Sequence, residues 1–163
     1  MTPAKKSSAQ SFIISRPRKY FPPGSDLTDP ASYWFSNWSK RMWPYGLIES
    51  GEICPGTVLS WYVSGQKVIR WRTVIKKVKA FSYDSRAELL RTLEDHFGEK
   101  PPNQEYLRRA KRSQGYCIAW SLVSRGKDKP EALSLQAPGK FKMEQLGWMD
   151  ASRANVNKWK NLE

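Results

Sequence analysis

A hairpin in the middle of the chain constrains the fold more than any other feature. Residues 57–63 (TVLSWYV) alternate, with Leu59, Trp61 and Val63 on one face and Val58, Ser60 and Tyr62 on the other, the period of a strand. Ser64, Gly65 and Gln66 offer a tight turn, and residues 67–81 (KVIRWRTVIKKVKAF) return as a long second strand. Along it Ile69, Trp71, Thr73 and Ile75 share one face, while Arg70, Arg72 and Lys76 share the other. The alternation slips at Lys76 and Lys77, after which Val78 and Phe81 resume the apolar role. Such a slip marks a bulge, and a bulge in a long strand bends its sheet as small barrels require.

The flanking segments supply more strands and several helices. Residues 11–15 (SFIIS) are long enough for one buried strand. Residues 116–123 (YCIAWSLV) form another, with Tyr116, Ile118, Trp120 and Leu122 on one face. Its other face holds Cys117, Ala119 and Ser121, small enough for a helix to approach closely. Residues 131–136 (EALSLQ) are a short strand, and 140–148 are irregular or one strand more. Ser85 with Glu88 three residues on is a capping box. The helix it opens carries Leu89, Leu90, Leu93 and Phe97 and ends at Gly98. Beyond Pro101 and Pro102 a second helix is expected over 103–113, with Arg108, Arg109, Lys111 and Arg112 outward. A last helix, capped by Asp150 or Ser152, runs to about Asn161 and packs by Val156 and Trp159. Residues 1–10 read as a disordered basic tail and 11–163 as a single domain. Five strands with inserted helices and a bulged hairpin predict an α+β fold, a small mixed β-barrel.

Residues 29–45 (DPASYWFSNWSKRMWPY) concentrate aromatic rings. Asp29 and Pro30 suit a helix start, and Pro44 suits its end, so a helix is expected between them. Trp34, Trp38 and Met42 (or Arg41) would then share a face, leaving Tyr33, Phe35 and Trp43 elsewhere. One buried stripe cannot absorb all of these rings. Some pack in the core, and others are free to line a pocket for a flat ligand such as a nucleobase. Residues 46–56, with Gly46, Gly51, Pro55 and Gly56, are expected to be a loop.

Charge narrows the partner. The formal net charge is +13 over 163 residues, which favours a polyanion, most economically nucleic acid. No apolar run reaches membrane-spanning length and no secretory leader is evident, so an intracellular protein, cytoplasmic or nucleoid-associated and off the membrane, is expected. Cys54 and Cys117 stand far apart and read as reduced thiols, and His96 is the only histidine. No metal spacing, triad or phosphate-binding glycine loop is present, so neither metal nor cofactor is expected. The segment 67–79 holds six cations and no carboxylate: Lys67, Arg70, Arg72, Lys76, Lys77 and Lys79. Like charges at that density repel, and a phosphate backbone relieves them. Arg16, Arg18 and Lys19 in the N-terminal arm, and Arg108, Arg109 and Arg112 in the later helix, are further phosphate candidates beside their bland reading as solvated charge.

Three stretches carry a family likeness. SFIIS with the tryptophan-rich segment after it, PGTVLSWYVSGQKVIRWRTVIKKV, and YCIAWSLVSRGKDKPEALSL together resemble the PUA-like superfamily, and within it the EVE and YTH branch most. GQKVIRWR is also similar to the G-x-K-x-x-E-x-R motif of the ASCH branch. Arg70 stands where the glutamate belongs, however, and the segment follows the Gly-Thr-Val strand instead of preceding it. The EVE and YTH resemblance implies binding of nucleic acid whose modified base is turned out into an aromatic cage. Trp34 best matches the family's cage position, with Trp38 and Trp43 as local alternates and Phe81, Tyr83 and Trp120 as candidates for the second wall. Flipping costs a few kcal/mol, which stacking offsets at roughly 1–3 kcal/mol per base.

The leading expectation is therefore a non-catalytic reader of modified DNA or RNA, working as one part of a restriction or RNA-modification assembly. An ASCH-like nuclease or amidohydrolase is the alternative, although Glu49, Glu52 and Asp84 form no paired motif. A basic module that binds RNA, ribosome or protein without any base pocket is the third. A base-sized pocket walled by two rings would favour the first, and a convex basic face would favour the third.

Overall fold

The strand Val68–Tyr83 runs for 16 residues and organises the sheet around it. The computed structural model describes residues 11–17, 33–98, 114–144 and 147–162. Their elements in chain order are β1 (Ser11–Pro17), β2 (Tyr33–Trp38), α1 (Trp43–Glu49), β3 (Val58–Ser64), β4 (Val68–Tyr83), α2 (Arg86–Phe97), β5 (Gly115–Leu122), β6 (Glu131–Gln136), β7 (Trp148–Asp150) and β8 (Lys160–Asn161). Single 3-10 turns lie at Gly126–Asp128 and Val156–Lys158. The basic tail over 1–10, the cap at Asp29 and Pro30, the helix over 103–113, and Arg18, Lys19, Arg108, Arg109 and Arg112 lie outside the described residues. So does the side chain of Arg16, whose backbone is in β1.

The sheet order is β2-β5-β4-β3-β1-β7, with β6 joined to β4 and β8 to β6. Neighbours are antiparallel except β1 and β3, which run parallel with Ile14 opposite Trp61. The first half of β4 pairs with β3 and β6, and the second half pairs with β5. Two irregularities bend it. Arg70 is looped out between Ile69 and Trp71 in the pairing with β3, and Lys76 between Ile75 and Lys77 in the pairing with β5. The second is the slip that the hydrophobic alternation places at Lys76.

Bending curls the sheet into a half-barrel around one apolar interior. Trp34 of β2 lies 4.7 Å, ring to ring, from Trp61 of β3, although two strands separate them in the sheet. Trp120 of β5 meets Trp148 of β7 edge-on at 5.1 Å across a still wider span of strands. Those contacts are possible only if the inner face closes on itself. Phe12, Ile14, Leu59, Val63, Ile75, Ile118 and Leu122 fill the space between the indoles, and α1 covers one side through Tyr45. The outer face is covered in two places. Leu89 and Leu93 of α2 rest on Cys117 and Ala119, the small face of β5 that invites a helix. Met149, Ala151 and Trp159 from the C-terminal segment cover Ile13, Tyr62 and Ile69. The capping box forms as expected, with the Glu88 amide donating to Ser85 Oγ at 3.1 Å, and Gly98 ends α2 in the left-handed region at φ 81°.

Three expectations are corrected. The aromatic run is a strand and then a helix, not one helix from Asp29 to Pro44. Tyr33, Phe35 and Asn37 face α2, while Trp34 and Trp38 face the interior, so the run obeys period two, which suits aromatic residues. Pro44 opens α1 at its second position instead of closing a helix, because the missing amide is harmless there. For the same reason Gly46 is helical and the loop starts later. The final helix is absent: Asp150 Oδ1 accepts from the Ser152 amide and hydroxyl at 2.9 and 2.7 Å, making a tight turn. Turns and β8 follow, yet Trp159 is buried as expected.

Candidate nucleic-acid interface

At the free edge of the half-barrel, where β7 ends the sheet, lies a cleft of about 190 Å³. Trp43, Glu144, Trp148, Met149, Asp150 and Arg153 line it. That volume is below the roughly 300–1,000 Å³ of a drug-sized site, and suits one planar heterocycle.

Each wall has a local cause. Trp43 is the first residue of α1, 44% exposed, and its ring is held edge-on against Phe12 at 5.9 Å. Phe12 is paired with Asp150 across β1 and β7, so this one contact sets the indole beside the β7 edge. Trp148 begins β7 directly after the left-handed Gly147 (φ 88°), and is 1% exposed. Alternation along β7 turns Trp148 inward and Met149 to the outer cluster, and returns Asp150 to the side of Trp148. The buried Nε1 of Trp148 has no hydrogen-bond partner among the described residues. Asp150 is steadied by Ser152, whereas the side chains of Glu144 and Arg153 form no hydrogen bond or ion pair among the described residues.

Of the six aromatic candidates, the cleft takes Trp43 alone. Trp34 and Trp38 are partly buried against the inner core. Phe81 is partly buried on the α2 side. Tyr83 is 2% exposed, and its hydroxyl accepts from Asn37 Nδ2 at 2.9 Å. Trp120 is wholly buried at 0%. The second ring of the cleft is Trp148, at the end of the stretch expected to be irregular or one strand more. Its signal was a tryptophan directly after a turn glycine, too short for periodicity to register.

The cations of β4 divide into two groups. Arg70 donates from Nε to Gln66 Oε1 at 3.2 Å and from Nη1 to Ser134 Oγ at 3.0 Å, tying the hairpin turn to β6. Arg72 pairs with Glu131 at 3.3 Å on the same neighbour. Past the second bulge, Lys76 and Lys77 are exposed, and Lys77 Nζ donates to the His96 carbonyl at 3.4 Å. Lys79 is half-buried near His96, and neither it nor Lys76 forms an ion pair among the described residues. Burial, reinforced by Lys79 and Lys77, holds the His96 imidazole below its ordinary pKa. Elsewhere Arg41 is ion-paired with Glu49 and lies 5.1 Å over the Tyr45 ring. Glu52 accepts from Ser50, so Glu49 and Glu52 are engaged locally and do not face one another across a site.

This architecture has counterparts. The chain matches ASCH from Zymomonas mobilis with a TM-score of 0.56, over 94% of this chain and 99% of that one, at 11% identity. The fold is PUA-like. A serine-to-alanine mutant of that protein matches at 0.55 over 93% and 97% of the two chains, and a tyrosine-to-phenylalanine mutant at 0.54 over 93% and 99%, each 10% identical. These neighbours come from the ASCH branch, which the sequence motifs ranked behind EVE and YTH. At such identity the likeness is one of fold. No protein-family model and no curated protein matches the sequence. Arg70, where the ASCH motif has glutamate, serves this fold by bracing the bulge. Among the described residues no helix is long and apolar enough to cross a membrane, and no three His, Cys, Asp or Glu side chains converge as a metal site would need.

Proposed function

We propose that the chain is a nucleic-acid-binding module that takes one base, turned out of its strand, into the Trp43–Trp148 cleft. The observation that supports this most is a base-sized cleft with two indoles in its lining, on a protein of net charge +13. The exposed Trp43 is the stacking wall, and Trp148 and Met149 give the cleft an apolar floor. Lys76, Lys77 and Lys79, past the second bulge of β4, are the candidate contacts for phosphates farther along the strand. A methyl group carried by the base and buried in the cleft adds about 0.8 kcal/mol, so modified bases are preferred. In this reading the module supplies recognition to a larger restriction or RNA-modification assembly whose other parts do the chemistry.

The test is fluorescence anisotropy with labelled single-stranded RNA and DNA, methylated and unmethylated, on the wild type and Trp43→Ala. Removing the stacking wall should weaken binding by roughly 1–3 kcal/mol. Unchanged affinity in a folded Trp43→Ala protein would move the base elsewhere.

A further inference from the structure

The cleft is locally acidic on a strongly basic protein. Glu144 and Asp150 outnumber Arg153 in its lining, so it carries a formal charge opposite to that of the chain. A phosphate is thereby disfavoured there, and a group that donates hydrogen bonds is favoured. The Glu144 carboxylate has no partner among the described residues, and Asp150 commits only Oδ1 to Ser152. Acceptors are therefore available in the same cleft as Trp43. Arg153 is the one cation among the described residues that line the cleft, and it is the candidate for holding the adjoining phosphate.

We infer that the cleft selects a base bearing an exocyclic amino group, read by Glu144 and by the free oxygen of Asp150. The inference rests on the base-binding proposal above. Cytosine, adenine and guanine each present such an amino group to a carboxylate. Uracil and thymine present a carbonyl oxygen where cytosine carries its amino group, which a carboxylate repels, and keep N3–H as their one donor on that edge. Two carboxylates in one small cleft add to the mismatch, because an acceptor facing another acceptor forms no hydrogen bond.

Short single-stranded homopolymers of cytidine and of uridine, labelled with fluorescein, are titrated with the wild type, Glu144→Gln and Trp43→Ala. Glu144 is exposed, so its substitution leaves the fold in place. The wild type should bind the cytidine strand about tenfold more tightly. Glu144→Gln should reduce that preference to about threefold or less, since an amide offers uracil a donor as well as an acceptor. Equal wild-type affinities, or a preference that survives Glu144→Gln in full, would overturn the amino-group reading. If Trp43→Ala binds both strands as the wild type does, the base-binding proposal itself fails. If Trp43→Ala weakens both while the wild type does not discriminate, only the amino-group reading fails.

Discussion

Trp120 and Trp43 are the same side chain put to opposite uses. Trp120 is sealed inside the curl against Trp148, 0% exposed, in register with Trp34 on the neighbouring strand. Trp43 touches Phe12 with one edge and leaves 44% of itself open. The first indole is held from all sides, and its shape defines how tightly the sheet can close. The second is fixed in direction but left uncovered beside a cleft. The oriented, exposed ring is the one the base-binding proposal uses as its stacking wall, whereas the interior ring is a structural support.

The largest effect should come from Trp120→Ala. Cavity formation there costs about 3–5 kcal/mol, a fall in Tm of very roughly 6–20 °C for a domain of this size. Trp43→Ala should cost only about 1 kcal/mol of stability, the scale of one edge-on ring contact, while carrying the loss of affinity described above. Thermal melts and titrations of the two variants side by side break the comparison if their profiles exchange. The cations offer the same contrast at the next scale. Replacing Lys76, Lys77 and Lys79 together by alanine should reduce the log–log salt slope of binding by about 2 to 3. Arg70→Ala and Arg72→Ala together should alter it less and lower Tm more, because those guanidinium groups hold β6. The thiols separate likewise. Burial pushes the Cys117 thiol up, so a thiol-reactive dye should label Cys54 in the native protein and Cys117 only after unfolding. The smallest effect concerns His96. Its pKa is lowered on folding, so the unfolded chain takes up the proton first and stability declines as pH falls below the ordinary value of 6.5. The decline levels off once the folded protein is protonated too. His96→Gln should flatten that part of the Tm–pH curve.

Much of the fold was legible in the sequence. The hairpin, the bulge at Lys76, the small face of β5 and the capped helix α2 follow from alternation and capping chemistry acting over long segments. The aromatic run misled because YWFSNW satisfies a helical face and a strand face equally, and cross-strand pairing with β5 decided between them. Pro44 misled because proline opens helices as readily as it ends them. The site was half legible. Trp43 stood out by its surroundings, but Trp148 and Asp150 lie on a strand of three residues, too short for any period to show. Glu144 and Arg153 acquire meaning only once β7 is set beside β1.

That β1–β7 pairing has a consequence in time. β1 is the first described strand to be synthesised, yet its two partners come much later: β3 after β2 and α1, and the short β7 after β2 to β6. Contacts so distant in sequence are slow to form, because a large loop must close before they contribute. The cleft takes Trp43 from early in the chain and Trp148 from late in it. A nascent chain on the ribosome, basic and surrounded by RNA, thus lacks the cleft until translation has passed β7. The cleft is among the last features of the fold to be completed, and under the base-binding proposal partly made forms would not capture the RNA nearest to them.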